Sequence, residues 1–85
     1  MKYAIILTRS ARKDILNLEA IVRDRVIRVV DQLTLNPWPR GTQKLVGRED
    51  SWRLRIGHYR VVYSVFQDTR TVKIHRVRHR REAYR

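Results

Sequence analysis

Three arginines carry the chemistry that this sequence can do. Arg53 and Arg55 alternate with Trp52, Leu54 and Ile56, and Arg60 follows after Gly57-His58-Tyr59. A period of two places Arg53 and Arg55 on one face of a strand. Gly57-His58 is a two-residue turn candidate with Gly in the first central position, as a type II′ turn requires. Ile56 then pairs with Tyr59, Arg55 with Arg60, and Leu54 with Val61. Like charges directly opposite one another destabilise a strand pair, so folding gains nothing from Arg55 facing Arg60. The arrangement is tolerable where water reaches it and useful where an anion sits between the cations. Guanidinium forks match phosphate oxygens, so the chemistry on offer is to hold a phosphate and stabilise charge building on it. The alternative is a solvated face whose arginines snorkel, and Arg53, with no cation opposite, fits that most easily.

Thr71 to Val77 reads as the next strand after a turn beginning at Asp68-Thr69. A two-residue turn puts Val77 opposite Arg60, and a four-residue turn puts His79 there. Both place His75, Val77 and His79 on the arginine face, and only an odd-length loop reverses this. An arginine practically cannot lose its proton. His79, with an unperturbed pKa of about 6.5, is therefore the candidate proton acceptor, the alternative being that it ends the strand and stacks or binds phosphate. His58 is read as a turn residue.

The elements that must position these side chains follow from periodicity. Lys2 to Leu7 is a short apolar run and reads as a buried strand. Thr8 or Ser10 serves as the cap of a helix in which Ala11, Ile15 and Leu18 form one stripe. A second helix carries Val22, Val26, Val29, Val30 and Leu33 on one face, with Arg23, Asp24, Arg28, Asp31 and Gln32 on the other. Asn17 breaks the two apart, and Asn36-Pro37 stops the second. Residues 36–50, with Pro37, Pro39, Gly41 and Gly47, read as loop, with Trp38 as a lid on the core. Trp52, Leu54, Ile56, Tyr59, Val61, Tyr63 and Val65 form the sheet's core face. Arg53, Arg55, Arg60, Val62 and Ser64 form the other face. Arg80 to Arg85 is a short polar tail. The order β-α-α-β-β-β gives an α+β fold, a helical hairpin packed on a mostly antiparallel sheet.

Composition bounds the function. The 85 residues, 10.3 kDa, fit one domain spanning 1–85 and leave no room for a dinucleotide fold or a large cavity. Without cysteine there is no disulfide framework, thiolate metal site or Cys nucleophile. No apolar run approaches the ~18 residues of a membrane span, and the apolar start is too short for a signal peptide. A cytoplasmic protein that does not engage the membrane is expected. Lys and Arg number 20 against 8 Asp and Glu, a net charge of +12, and 16 of the 20 are Arg. Residues 44–85 carry net +8 against +4 for residues 1–43. Such a chain binds nucleic acid non-specifically at low salt, and the Arg bias favours a phosphate-bearing partner.

Arg53-Leu54-Arg55, Gly57-His58-Tyr59-Arg60-Val61-Val62-Tyr63 and the terminal His79-Arg80-Arg81-Glu82-Ala83-Tyr84 resemble the RelE family of bacterial type II toxins. The resemblance runs over essentially the whole chain, including Ser10-Ala11-Arg12-Lys13-Asp14 and the Asn36-Pro37 stop. It implies a RelE-like fold. It also implies a metal-independent endoribonuclease, an mRNA interferase that enters the ribosomal A site and inhibits translation. There an mRNA 2′-hydroxyl attacks the adjacent phosphate, with no cofactor. A cognate antitoxin, acidic or partly disordered until bound, would neutralise it.

By the same resemblance Arg53 and Arg55 match two basic positions on the active strand. Arg60 matches the arginine that stabilises charge on the phosphate. Arg80 matches a basic position before the C-terminus, and Tyr84 matches a tyrosine that stacks on or orients a nucleotide. Relatives often carry lysine at positions 53 and 55, which leaves the base open; His79 joins the catalytic set as the candidate above. Lys44, Arg48, His75, Arg76, Arg78 and Arg81 are candidate RNA contacts, and Arg9, Arg12 and Lys13 could also meet ribosomal RNA through phosphates. Two alternatives remain. One is a DNA gyrase inhibitor of the ParE type on the same scaffold, and the other is a non-catalytic RNA-binding module.

Overall fold

The computed structural model describes residues 2–47 and 50–80. A short strand β1 (Ala4–Leu7) runs into α1 (Arg9–Leu16) and α2 (Ala20–Gln32). The strands β2 (Thr42–Lys44), β3 (Ser51–Ile56), β4 (Tyr59–Phe66) and β5 (Thr71–His79) follow. The sheet order is β1-β5-β4-β3-β2, with β1 parallel to β5 and every other pair antiparallel. The expected helical hairpin on a mostly antiparallel sheet is what forms.

Thr8 makes the first turn of the hairpin. Its Oγ1 accepts from the Ala11 N–H at 3.0 Å, an N-cap bond that typically contributes about 1 kcal/mol. The same hydroxyl donates to the His75 carbonyl at 2.9 Å, tying α1 to β5. Asn17 caps the end of α1, its N–H reaching the Lys13 carbonyl. The two helical stripes deliver Ala11, Ile15, Val26, Val30 and Leu33 into the core. They meet Leu54, Ile56, Val61, Tyr63, Val65, Val72, Ile74 and Val77 from the sheet. Trp38 packs edge-on between Tyr3 and Trp52, as a lid should. Among the described residues no helix is long and apolar enough to cross a membrane.

The β3–β4 register is the expected one: Ile56 faces Tyr59, Arg55 faces Arg60, and Leu54 faces Val61. Gly57 takes φ 60°, while Arg70 is the residue other than glycine with positive φ among those described. That combination is the type II′ pattern.

Besides β1, which is not the buried strand expected but an edge strand with Ala4 and Ile6 exposed, two expectations need correction. The segment read wholly as loop contains β2, a three-residue edge strand pairing Gln43 with Arg53. Tyr63 holds it there. The buried phenol donates to the Pro37 carbonyl at 2.6 Å and lies 3.3 Å from Thr42 Oγ1. Burial pushes the Tyr63 hydroxyl above its ordinary pKa of 10.0, and the Thr42 hydrogen bond pulls partly the other way.

The second correction concerns β5. Phe66 faces Thr71, so the loop has even length, as supposed, yet the parity still reverses. A bulge shifts the register between Tyr63, which faces Ile74, and Val62, which faces Arg76. Beyond it Val77 faces Val61 and His79 faces Tyr59. Val77 and His79 therefore lie on the helix side of the sheet and not on the arginine face. The cause is core spacing. Val72 and Ile74 are two residues apart, but the next apolar residue, Val77, comes after three, and all three are buried. An extra residue in the strand is the way to bury Val77 as well. Asp14 of α1 supports the result by accepting the Val77 N–H at 2.9 Å, where β1 no longer flanks β5.

Candidate active site

The open face of the sheet carries a cleft of about 290 Å³ lined by Gly41, Gln43, Arg53, Arg55 and Arg60. Alternation on β3 and the tight turn bring the three arginines together, and β2 adds the Gln43 wall. Gln43 Oε1 accepts from Arg53 Nε at 3.2 Å and from Arg53 Nη2 at 2.9 Å. Arg55 Nε donates to the Gly57 carbonyl at 3.2 Å, turning that side chain towards the hairpin tip. Arg60 sits in the middle strand, opposite Arg55 on one side and Arg78 on the other. The atoms Arg60 Nη1 and Arg78 Nε are shielded from solvent.

The remaining candidates divide. Arg80 begins beside the hairpin tip, its N–H donating to the His58 carbonyl at 2.6 Å. His79 lies on the other side of the sheet, in a separate cleft with Asp14, Asn17, Leu18, Tyr59 and Val77. Its ring stacks on His58 (centroids 6.2 Å apart) and meets Tyr59 edge-on at 5.1 Å. The bulge thus removes His79 from the arginine face, and the proton-acceptor reading that rested on that face is withdrawn. His75 bonds Ser64 Oγ through Nε2 at 2.7 Å. Arg76 forms an ion pair with Asp14, Nε to Oδ2 at 2.8 Å and Nη2 to Oδ1 at 3.1 Å, and so is engaged in holding α1 against β5. Lys44 is exposed on β2. Arg48, Arg81 and Tyr84 lie outside the described residues.

Sequence reasoning missed Gln43, because a three-residue polar strand has no hydrophobic period to betray it. It assigned Arg78 only a general RNA contact, because a regular ladder would have turned Arg78 to the helix side. The step from Ile74 to Val77 was the available signal.

The five cleft residues offer donors in a fixed array: guanidinium N–H groups, an amide NH₂ and backbone. Such an array binds an oxyanion and stabilises negative charge as it grows. Guanidinium and carboxamide groups do not serve as general bases.

Residues 5–84 match the family model described as the ParE toxin of the type II toxin-antitoxin system parDE. This chain belongs to the RelE/ParE superfamily of type II toxins. A chain of the RelE–RelB complex of Pyrococcus horikoshii is 30% identical, with a TM-score of 0.84 over 94% of this chain and 97% of that one. A chain of the Mycobacterium tuberculosis RelBE2 toxin-antitoxin complex is also 30% identical, with a TM-score of 0.80 over 94% of this chain and 100% of that one. A Methanocaldococcus jannaschii protein provisionally named toxin RelE1 is 28% identical over 88 residues, covering 100% of this chain and 98% of that protein. The family model thus carries the ParE name, while these RelE/ParE relatives carry the RelE name.

Proposed function

We propose that this superfamily member acts as a single toxin domain that cuts mRNA on the ribosome. The carrying observation is the arginine cleft, with Arg60 flanked by a cation on each neighbouring strand. In the reaction the RNA 2′-oxygen bonds to the adjacent phosphorus, and the bond from phosphorus to the 5′-oxygen breaks. The proton leaves the 2′-hydroxyl and one is delivered to the 5′-oxygen. Charge grows on the phosphate oxygens, where Arg53, Arg55 and Arg60 stabilise it. Arg80, at the hairpin tip, and Tyr84 complete the set on the strength of the family resemblance. The base is a group other than the five lining residues, and the ribosome supplies alignment that so small a protein cannot.

The relatives in complex with RelB support a cognate antitoxin for this chain. An acidic segment would be drawn to a chain of net charge +12.

Mapping mRNA 5′ ends after inducing wild type and Arg60→Ala tests the function. Wild type should produce new ends at codons within translated frames. Arg60→Ala, folded by circular dichroism, should lose about 10²–10³ in cleavage rate, as when one donor to a reacting oxyanion is removed. Equal cutting by both proteins, or none by wild type, overturns the reading. The ParE name of the family model favours a second reading, gyrase inhibition. Induction would then raise a DNA-damage response with mRNA intact.

A further inference from the structure

The cleft residues account for one phosphate, but the cations continue past the cleft. Arg55, Arg60 and Arg78 lie directly opposite one another on β3, β4 and β5. Two inter-strand steps make a row about 10 Å long. Each strand of a duplex carries a charge every ~3.4 Å of its axis and a single strand is more extended, so a row of this length is long enough for two successive phosphates. Down β4 the same face carries Val62 and then Ser64. On β5 below Arg78, Arg76 is bound to Asp14 and His75 to Ser64. The same face also carries Arg53 on β3 and, opposite Ser64, Lys73 on β5, but among the described residues cations on three adjacent strands meet only in the Arg55–Arg60–Arg78 row. A polyanion laid on this face follows the row.

We infer that Arg78 forms a second phosphate subsite, holding the phosphate next to the scissile one, so that the RNA backbone crosses β3, β4 and β5 at right angles. The inference rests on the ribonuclease reading and specifies the path of its substrate. It depends on the bulge: with a regular ladder Val77 would face Arg60 and the row would stop at two cations. Arg78 is then a binding residue whose effect falls on substrate capture, whereas Arg60 acts on the reacting phosphate.

The test uses synthetic mRNAs carrying one neutral methylphosphonate linkage at either phosphate flanking the scissile bond, cut on programmed ribosomes. For wild type, one of the two linkages should raise KM roughly tenfold and leave kcat unchanged, as expected for one lost charge-assisted hydrogen bond. In Arg78→Ala that penalty should disappear. Its binding to short unmodified RNA should show a salt slope shallower by about 0.7. Arg78→Lys, which restores a point charge, should recover most of the penalty and guards against misfolding of the alanine variant. The inference is overturned if Arg78→Ala suffers the methylphosphonate penalty in full, or if Arg78→Ala lowers kcat as Arg60→Ala does with KM unchanged. If wild type leaves unmodified ribosome-bound mRNA whole, the function falls instead. Anisotropy of short methylphosphonate RNAs then decides the subsite alone: a penalty shared equally by wild type and Arg78→Ala overturns it, and one confined to wild type upholds it.

Discussion

One amide oxygen of Gln43 takes two hydrogen bonds from Arg53, at 3.2 and 2.9 Å, across the β2–β3 ladder. Both bonds come from the Nε–Nη2 edge of a guanidinium that lines the cleft. Without Gln43, Arg53 regains rotamers and must be ordered by the substrate. Gln43→Ala should cut kcat/KM for ribosome-bound mRNA about threefold to tenfold. Gln43→Glu should cost more, because a carboxylate neutralises Arg53 and repels the phosphate. Single-turnover cleavage separates the two, and an alanine variant as fast as wild type would deny Gln43 any positioning role.

His79 packs against Tyr59 and His58 on the helix side of the sheet. His79→Ala should leave the pH profile of kcat unchanged in shape between pH 5 and 8. It should lower stability by about 0.5–1.5 kcal/mol through the lost ring contacts. Loss of a limb from that profile would show that the imidazole reaches the reacting atoms after all.

Asp14 accepts from Arg76 and from the Val77 amide, closing the part of β5 that β1 does not cover. Asp14→Ala leaves both donors without this acceptor and should cost about 1–3 kcal/mol in urea unfolding. Asp14→Asn keeps an acceptor for the amide and should recover part of it. Equal stability of the two variants would mean that the backbone bond contributes nothing.

Tyr63→Phe removes the donor to the Pro37 carbonyl and should cost about 1–3 kcal/mol. It also makes an alkaline prediction. The folded pKa of Tyr63 is raised by burial, so the folded state holds the phenolic proton more tightly than the unfolded chain. Its contribution to stability is full below the unfolded value of about 10 and is lost as pH rises through the folded value. Wild-type stability should therefore fall above about pH 10, and that part of the fall should be absent in Tyr63→Phe. Parallel pH curves for the two proteins would remove Tyr63 as its source.

The sequence by itself determined the helical hairpin, the β3–β4 hairpin with its register and core face, and the meeting of Arg55 with Arg60. These rest on local rules: apolar spacing along a helix, alternation along a strand, and a glycine that selects a two-residue turn. Tertiary structure decided the rest. β2 exists because Tyr63, some twenty residues on, fastens Pro37 and Thr42 to the sheet. Arg78 rather than His79 faces Arg60 because Val77 must be buried and Asp14 receives its amide, which costs the strand one extra residue. A one-residue shift reverses every later side chain. Local alternation therefore could not say which of two neighbouring residues faces Arg60.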